Sequence, residues 1–328
     1  MTRESKEEGE RGSVSDGTRQ PEPTDEVSEW RSEPSRIVPA GMAAALVSFA
    51  CSVGALAYAL NHPVAIDSFV AAVAGLAGLM LAAFFALIAY GYRSLRYRIA
   101  DEALTISWLW VREIVPLGRI EGLYGGHRLG KRVQVDGLPW PGHLVGRTRA
   151  EGLGRLKYFG SSADPAAAII VATSSSGYVI TPADLPGFKG RLIELLEAIP
   201  PEEFDRAPEA RTEMPRLMRL SFLRDGVAIA CGMVAATVLL ASFGYVSARY
   251  PELPELMPLH FNFAGEPNLI GPPRDAFRMP GIGLLILLAN TVLAAAVHGW
   301  QRVAGRVLMA ATVFVELVVL IAVLRVVQ

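Results

Sequence analysis

Five long apolar runs constrain this chain more than any other feature. Residues 37–60 and 68–92 are uncharged runs of about 24 and 25 residues, and residues 226–248, 279–300 and 307–324 are about 18–23 residues each; all are long enough to cross a ~30 Å hydrocarbon core. Asn61-His62-Pro63 and Asp67 break the first pair into a tight hairpin. In the second helix small residues recur at four-residue spacing, Ala71 with Gly75 and Ala74 with Gly78, a pattern that permits close backbone approach or simply reflects common Ala and Gly. Composition agrees with a membrane chain. Of 328 residues, 52% are hydrophobic and 19% charged, below the ~25% charged of an average soluble chain. A net charge of -1 gives no overall electrostatic reason to expect nucleic acid. Cys51 and Cys231 both fall inside apolar runs and read as small buried hydrophobes rather than a disulfide or metal site.

The runs divide the chain. Residues 1–36 are rich in Glu, Ser, Arg, Gly and Pro and predict a disordered, solvated tail. Residues 37–92 form a transmembrane hairpin, 93–200 a soluble domain, 201–225 a linker, and 226–328 a C-terminal membrane domain with an outer loop at 249–278. The acidic tail precedes the first apolar run, so that run is expected to be a retained anchor rather than a cleaved signal. Positive charges set the orientation. Arg31, Arg36, Arg93, Arg96, Arg98, Arg211, Arg216, Arg219, Arg224, Arg302 and Arg306 fall on one side, which is then cytoplasmic. The loop at 249–278 falls outside, although it carries Arg249, Arg274 and Arg278.

One charge lies mid-span. Glu316 is central in the last run, where a carboxylate costs a few kcal/mol or more unless paired or protonated. Thr312 shares its helical face, Asn290 lies mid-span in the preceding helix, and His298 near that helix's inner end. Two readings stay open: a proton- or ion-linked site, or a single Glu holding two helices together.

The soluble stretch alternates apolar and polar residues at 104–110, with further short segments at 114–117, 120–124, 168–173 and 178–181. Ser174-Ser175-Ser176-Gly177 gives a hairpin signal. After Thr181-Pro182-Ala183-Asp184 the period becomes helical through Phe188, Leu192, Leu195, Leu196 and Ile199. Short strands followed by one amphipathic helix predict a small barrel or sandwich closed by that helix.

Tyr97-Arg98-Ile99-Ala100-Asp101, Leu104-Thr105-Ile106, Ile114-Val115-Pro116-Leu117 with Ile120, Pro141-Gly142 with Gly146, Tyr158, and 178–184 before Phe188 together resemble a bacterial pleckstrin-homology (PH) domain. The resemblance implies a β-barrel capped by its final helix, without implying a phosphoinositide ligand. Arg128, Lys131 and Arg132 make a basic loop that either touches anionic lipid or is simply solvated beside the membrane.

In the outer loop, Leu253, Pro254, Pro258, His260, Phe261, Asn262, Gly265 and Pro267 resemble the short domain of unknown function that opens SdpI-type immunity proteins. Four prolines between 250 and 268 exclude regular helix there. His260 and Asn262 either meet a peptide or small ligand from outside or hydrogen-bond the loop itself; a lone His is no metal site.

No phosphate-binding Gly loop, HExxH or nucleophile set is present in the sequence, so no enzyme activity and no cofactor are expected. The expected class is an integral membrane protein, α-helical with about five spans, carrying an inserted cytoplasmic PH-like β-barrel and acting as a non-enzymatic interaction or regulatory protein. The expected partners are membrane lipids, a protein at the PH-like domain and a peptide or small ligand at the outer loop. The alternatives are an ion-linked transport bundle and SdpI-like toxin immunity.

Overall fold

The computed structural model describes residues 28–35, 37–100, 102–130, 135, 145–162, 164–174, 176–200, 207–215, 220–262, 264 and 266–327. Most of the expected tail (1–27, Arg36) lies outside the described residues, as do Asp101, Lys131, Arg132, Pro141, Gly142, Ser175, Arg216, Arg219 and Gly265.

The chain begins with strand β1 (Ser28–Arg31) and passes into helices α1 (Ile37–Asn61) and α2 (Ile66–Ser94). Strands β2 (Arg96–Ala100), β3 (Ala103–Trp108), β4 (Val111–Pro116) and β5 (Ile120–Gly125) follow. Then come β6 (Val145–Ala150), β7 (Gly154–Phe159), β8 (Ile169–Thr173), β9 (Gly177–Ile180) and helix α3 (Leu185–Ala198). Strand β10 (Arg211–Glu213) precedes α4 (Gly226–Arg249), the pair β11 (Met257–Phe261) and β12 (Pro267–Gly271), α5 (Arg278–His298) and α6 (Arg302–Val326).

Among the described residues, five helices are long and apolar enough to cross a membrane. α1 and α2 pack closely because the facing side of α2 is made of small residues. Ser68, Gly75, Ala82 and Ala89 are all buried and recur every seventh residue. That is the period of a left-handed helix pair. A methyl on Gly75 would lie 2.6 Å from Leu56 Cγ, and one on Gly41 would lie 3.3 Å from Ala89 Cβ. Of the residues at four-residue spacing, Gly75 and Gly78 face α1 whereas Ala74 is exposed. Cys51 is also exposed, on the outer side of α1, because the seam needs only one face of that helix.

The β-rich domain is two stacked sheets rather than a closed barrel. One sheet has the order β1-β2-β3-β4-β10 and the other β5-β8-β9-β7-β6. The chain changes sheet after Pro116, through a single 3-10 turn at Leu117–Arg119. Proline cannot donate to a ladder, so pairing stops there. Between the sheets lie Tyr97, Leu104, Ile106, Val115, Val171, Tyr178 and Ile180, with Phe188 and Leu192 of α3 closing one end. The helix starts where Asp184 accepts from Gly187 N–H, with Pro186 in its first turn.

The tail expectation is corrected at its end. Residues 28–31 pair antiparallel with β2, from Ser28 opposite Ile99 to Arg31 opposite Arg96. Trp30, the one large aromatic there, packs edge-on against Phe188 with centroids 5.2 Å apart. The supposed linker is corrected too: Arg211–Glu213 adds the opposite edge strand on β4. Both edges of this sheet are therefore covered by segments that lead into membrane helices.

Candidate functional site

Four polar constellations stand out, and they are built by different elements. The first fastens the N-terminal segment. The Tyr97 hydroxyl donates to the Phe159 carbonyl at 2.7 Å and accepts from Thr181 N–H at 3.2 Å. Ser32 Oγ sits 2.6 Å from Ser161 Oγ and 3.2 Å from Thr181 Oγ1. Ser161 Oγ donates in turn to the Glu33 carbonyl. Backbone bonds from Glu33 N to Thr181 O and from Ala183 N to Arg31 O, both 2.9 Å, complete the knot. The Thr181-Pro182-Ala183 turn is thus the dock for the segment before α1. Burial raises the Tyr97 phenol above its ordinary value, and burial likewise pushes Tyr158 up.

The second joins the sheets and leaves a cationic face beside the join. Glu113 on β4 is buried and accepts from Lys157 Nζ on β7 at 2.9 and 3.0 Å and from Thr212 Oγ1 on β10 at 2.8 Å. Strand register sets Arg147 opposite Lys157 and Arg149 opposite Arg155. Arg147, Arg149 and Arg155 are exposed and line one groove together with Gly146 and Thr148. Like charges directly opposite one another destabilise a strand pair. Lys157 is neutralised by Glu113; among the described residues the three arginines have no acidic partner. Arg128 lies at the turn that joins these two strands: its carbonyl accepts from Glu151 N–H at 3.1 Å, and its guanidinium stacks 4.4 Å above the Tyr124 ring. The sequence reading named Arg128 and missed the β6–β7 arginines, since an Arg-Thr-Arg run reads as loop until the register is known.

The third runs through the C-terminal bundle. Asp225 accepts from Val227 N–H and Ala228 N–H at 3.1 Å each, capping α4. Arg306 Nε on α6 reaches the same carboxylate at 2.9 Å, and His298 Nε2 on α5 lies 3.4 Å away. The Ala228 N–H, helped by Arg306, holds Asp225 below its ordinary 3.8. Further along the α5–α6 seam, Asn290 Nδ2 donates to Thr312 Oγ1 at 3.0 Å. Glu316 follows, fully buried, and among the described residues neither of its carboxyl oxygens has a hydrogen-bond partner. A methyl on Gly283 of α5 would lie 2.6 Å from Glu316 Oε2, so the glycine makes the room. Asn290 and His298 therefore do share Glu316's seam, but neither bonds to it.

The fourth is the outer loop, which folds as the β11–β12 hairpin on the ends of α4 and α6. Met257 and Leu259 pack with Val246, Ala276, Val323 and Val327. His260 Nδ1 lies 2.7 Å from Asn268 Oδ1 across the hairpin. Asn262 Oδ1 accepts from Ala264 N–H at 3.0 Å and Glu266 N–H at 2.9 Å, and its amide donates to Glu266 Oε2 at 3.1 Å. Both residues thus hydrogen-bond within the hairpin. Among the described residues no group of three His, Cys, Asp or Glu could hold a metal ion.

The β-rich domain now has its register, its capping helix and its position after α2. Residues 95–195 match the bacterial PH domain family. Residues 237–284 match the Domain of unknown function (DUF1648), a domain found in SdpI-type proteins. No curated protein and no solved structure matches the chain. The PH domain match begins just after α2 and ends inside α3, so it contains neither β1 nor β10. The DUF1648 match spans the second half of α4, the outer hairpin and the start of α5, and stops before Glu316.

Proposed function

We propose that this multi-pass membrane protein is a non-enzymatic docking and regulatory protein of the cell membrane. Its PH domain faces the cytoplasm and binds an acidic protein partner through Arg147, Arg149 and Arg155. The observation that carries the reading is the register of β6 on β7, which sets Arg149 opposite Arg155 with Arg147 beside them, a cluster of exposed like charges that a bound anion would relieve. The arginines clustered at the inner helix ends, Arg93, Arg96, Arg98, Arg224, Arg302 and Arg306, favour the cytoplasmic side for this domain. Attachment of one sheet to both membrane blocks, through β1 and β2 on one side and β10 on the other, gives partner binding a route to the helices. The test is in-cell crosslinking followed by mass spectrometry on the full chain and on a variant with Arg147, Arg149 and Arg155 all changed to Ala. An acidic protein captured by the first and lost from the second supports the proposal. An identical set from both, with equal membrane insertion, refutes it.

A second reading, an ion-linked bundle, is favoured by the partnerless Glu316 carboxyl beside Gly283. Glu316→Gln keeps the shape and removes the charge. If proteoliposomes holding the full chain show a proton or sodium flux that this variant abolishes, the bundle reading replaces the first. Equal flux from both, or none, leaves the docking reading standing.

A further inference from the structure

The turn between β3 and β4 breaks a local rule. Trp108 pairs with Val111, leaving Leu109 and Trp110 as its two central residues. Leu109 has φ of 51°, in the left-handed region where a two-residue hairpin turn ordinarily takes Gly or Asn. A large apolar pair in a strained turn calls for a compensating environment. Part of it is visible. Leu109 N–H donates to Ser94 Oγ at 2.9 Å, and Ser94 Oγ donates to the Gly91 carbonyl at 2.8 Å. A methyl on Gly91 would lie 3.2 Å from Trp108 Nε1 and 3.3 Å from Leu109 Cγ, so the turn lies directly on the last turn of α2.

That contact fixes where the turn is. α2 is a membrane span whose uncharged run ends at Tyr92, next to Gly91. Trp110 remains 50% exposed there. Arg93, at the end of α2, and Arg112, two residues on from Trp110, are both exposed, Arg112 standing opposite Glu213 in the β4–β10 ladder. Aromatic side chains with cations at the end of a span are the composition of the bilayer interface, where the ring lies among headgroups and the cation meets phosphate. The turn between α5 and α6 repeats it, with Trp300 89% exposed close to Arg302, and the turn before α4 has an aliphatic counterpart, Leu223, 59% exposed beside Arg224.

We infer that the Trp108–Leu109–Trp110 turn, with Arg93 and Arg112, is a lipid-binding surface that holds the PH domain against the bilayer. The occupant of the exposed Trp110 face is phospholipid at headgroup depth. This surface uses neither Arg128 nor the β6–β7 arginines, and the inference stands whether or not a protein partner binds those arginines.

The test uses the full chain with Cys51→Ala and Cys231→Ala, so that the introduced thiol alone is labelled, in vesicles of phosphatidylcholine and phosphatidylglycerol, with Trp110→Cys carrying an environment-sensitive fluorophore. Glu197→Cys, on the exposed side of α3, is the control. The expected result is several-fold stronger quenching at 110 than at 197 by a lipid bearing a nitroxide near its headgroup, together with loss of quenching by aqueous iodide at 110. Nitroxide quenching at 110 no greater than at 197 overturns the inference, whatever iodide does. The label replaces an exposed side chain, so the fold is not at stake in the measurement.

Discussion

Asp225 begins one membrane helix and is gripped from another, its carboxylate lying 2.9 Å from Nε of Arg306. It also accepts two backbone N–H groups at the start of α4. Its pKa is therefore held below the ordinary value, chiefly by the Ala228 N–H. The sign follows from linkage. A carboxyl with a depressed folded-state value contributes stability above its ordinary 3.8, and that contribution is lost as pH falls below it. Thermal unfolding of the detergent-solubilised chain should thus show a midpoint that drops on acidification in this window. Asp225→Asn keeps a capping acceptor and should flatten the dependence while lowering the midpoint at neutral pH.

Tyr97→Phe removes a buried hydroxyl that serves both Phe159 O and Thr181 N. Leaving those groups unpaired should cost about 1–3 kcal/mol. Hydrogen exchange should accelerate most at 181–183 and 28–33, because those segments share the knot. The phenol also predicts alkaline behaviour. Its raised folded-state value makes its contribution complete below the ordinary 10.0 and lost as pH rises beyond it, a loss that the Tyr97→Phe variant cannot show.

Asn262→Ala deletes the acceptor that closes the outer hairpin. The expected cost is about 1 kcal/mol, concentrated locally. Protease sensitivity between α4 and α5 should increase, with the spans intact. Asn268→Ala should leave the hairpin closed and free only the His260 ring, which histidine proton NMR would detect as a changed environment.

Gly75→Val places side-chain atoms where Leu56 and the Ser52 carbonyl already lie, the latter 3.1 Å from a methyl at that site. Overpacking of about 1–3 kcal/mol should separate α1 from α2. Ala74→Val, on the exposed face of the same helix, should be neutral. Melting curves for the two variants make the comparison.

Much of this was legible. Long uncharged runs leave few alternatives to membrane helices, and the switch from two-residue to helical period at Thr181-Pro182 located α3. The register-dependent features were not. Ser28-Glu29-Trp30-Arg31 is too short and too polar to show a strand period, and only its pairing with β2 explains the lone Trp30. The cationic face of β6 and β7 exists only once Arg149 is set opposite Arg155. Leu109 and Trp110 continue an alternating pattern, so the sequence reads them as strand, yet they form its turn. Asp225 did carry a signal, an acidic residue directly before an apolar helix. Glu316 was legible as an isolated charge, but its want of a partner is a fact of packing.

Ser32 N–H reaches the Leu95 carbonyl at 3.3 Å, so the two ends of the α1–α2 pair almost touch. The first membrane block is, topologically, an insertion at the tip of a β-hairpin made by β1 and β2. Its sixty or so residues leave and re-enter at one point, as a long tolerated insertion does. A gene in which a short turn joins 32 directly to 95 would therefore encode the PH domain with its first edge intact and without its first pair of spans. A fragment that simply starts at 94 would lack that edge strand and expose a ladder for other chains to pair with.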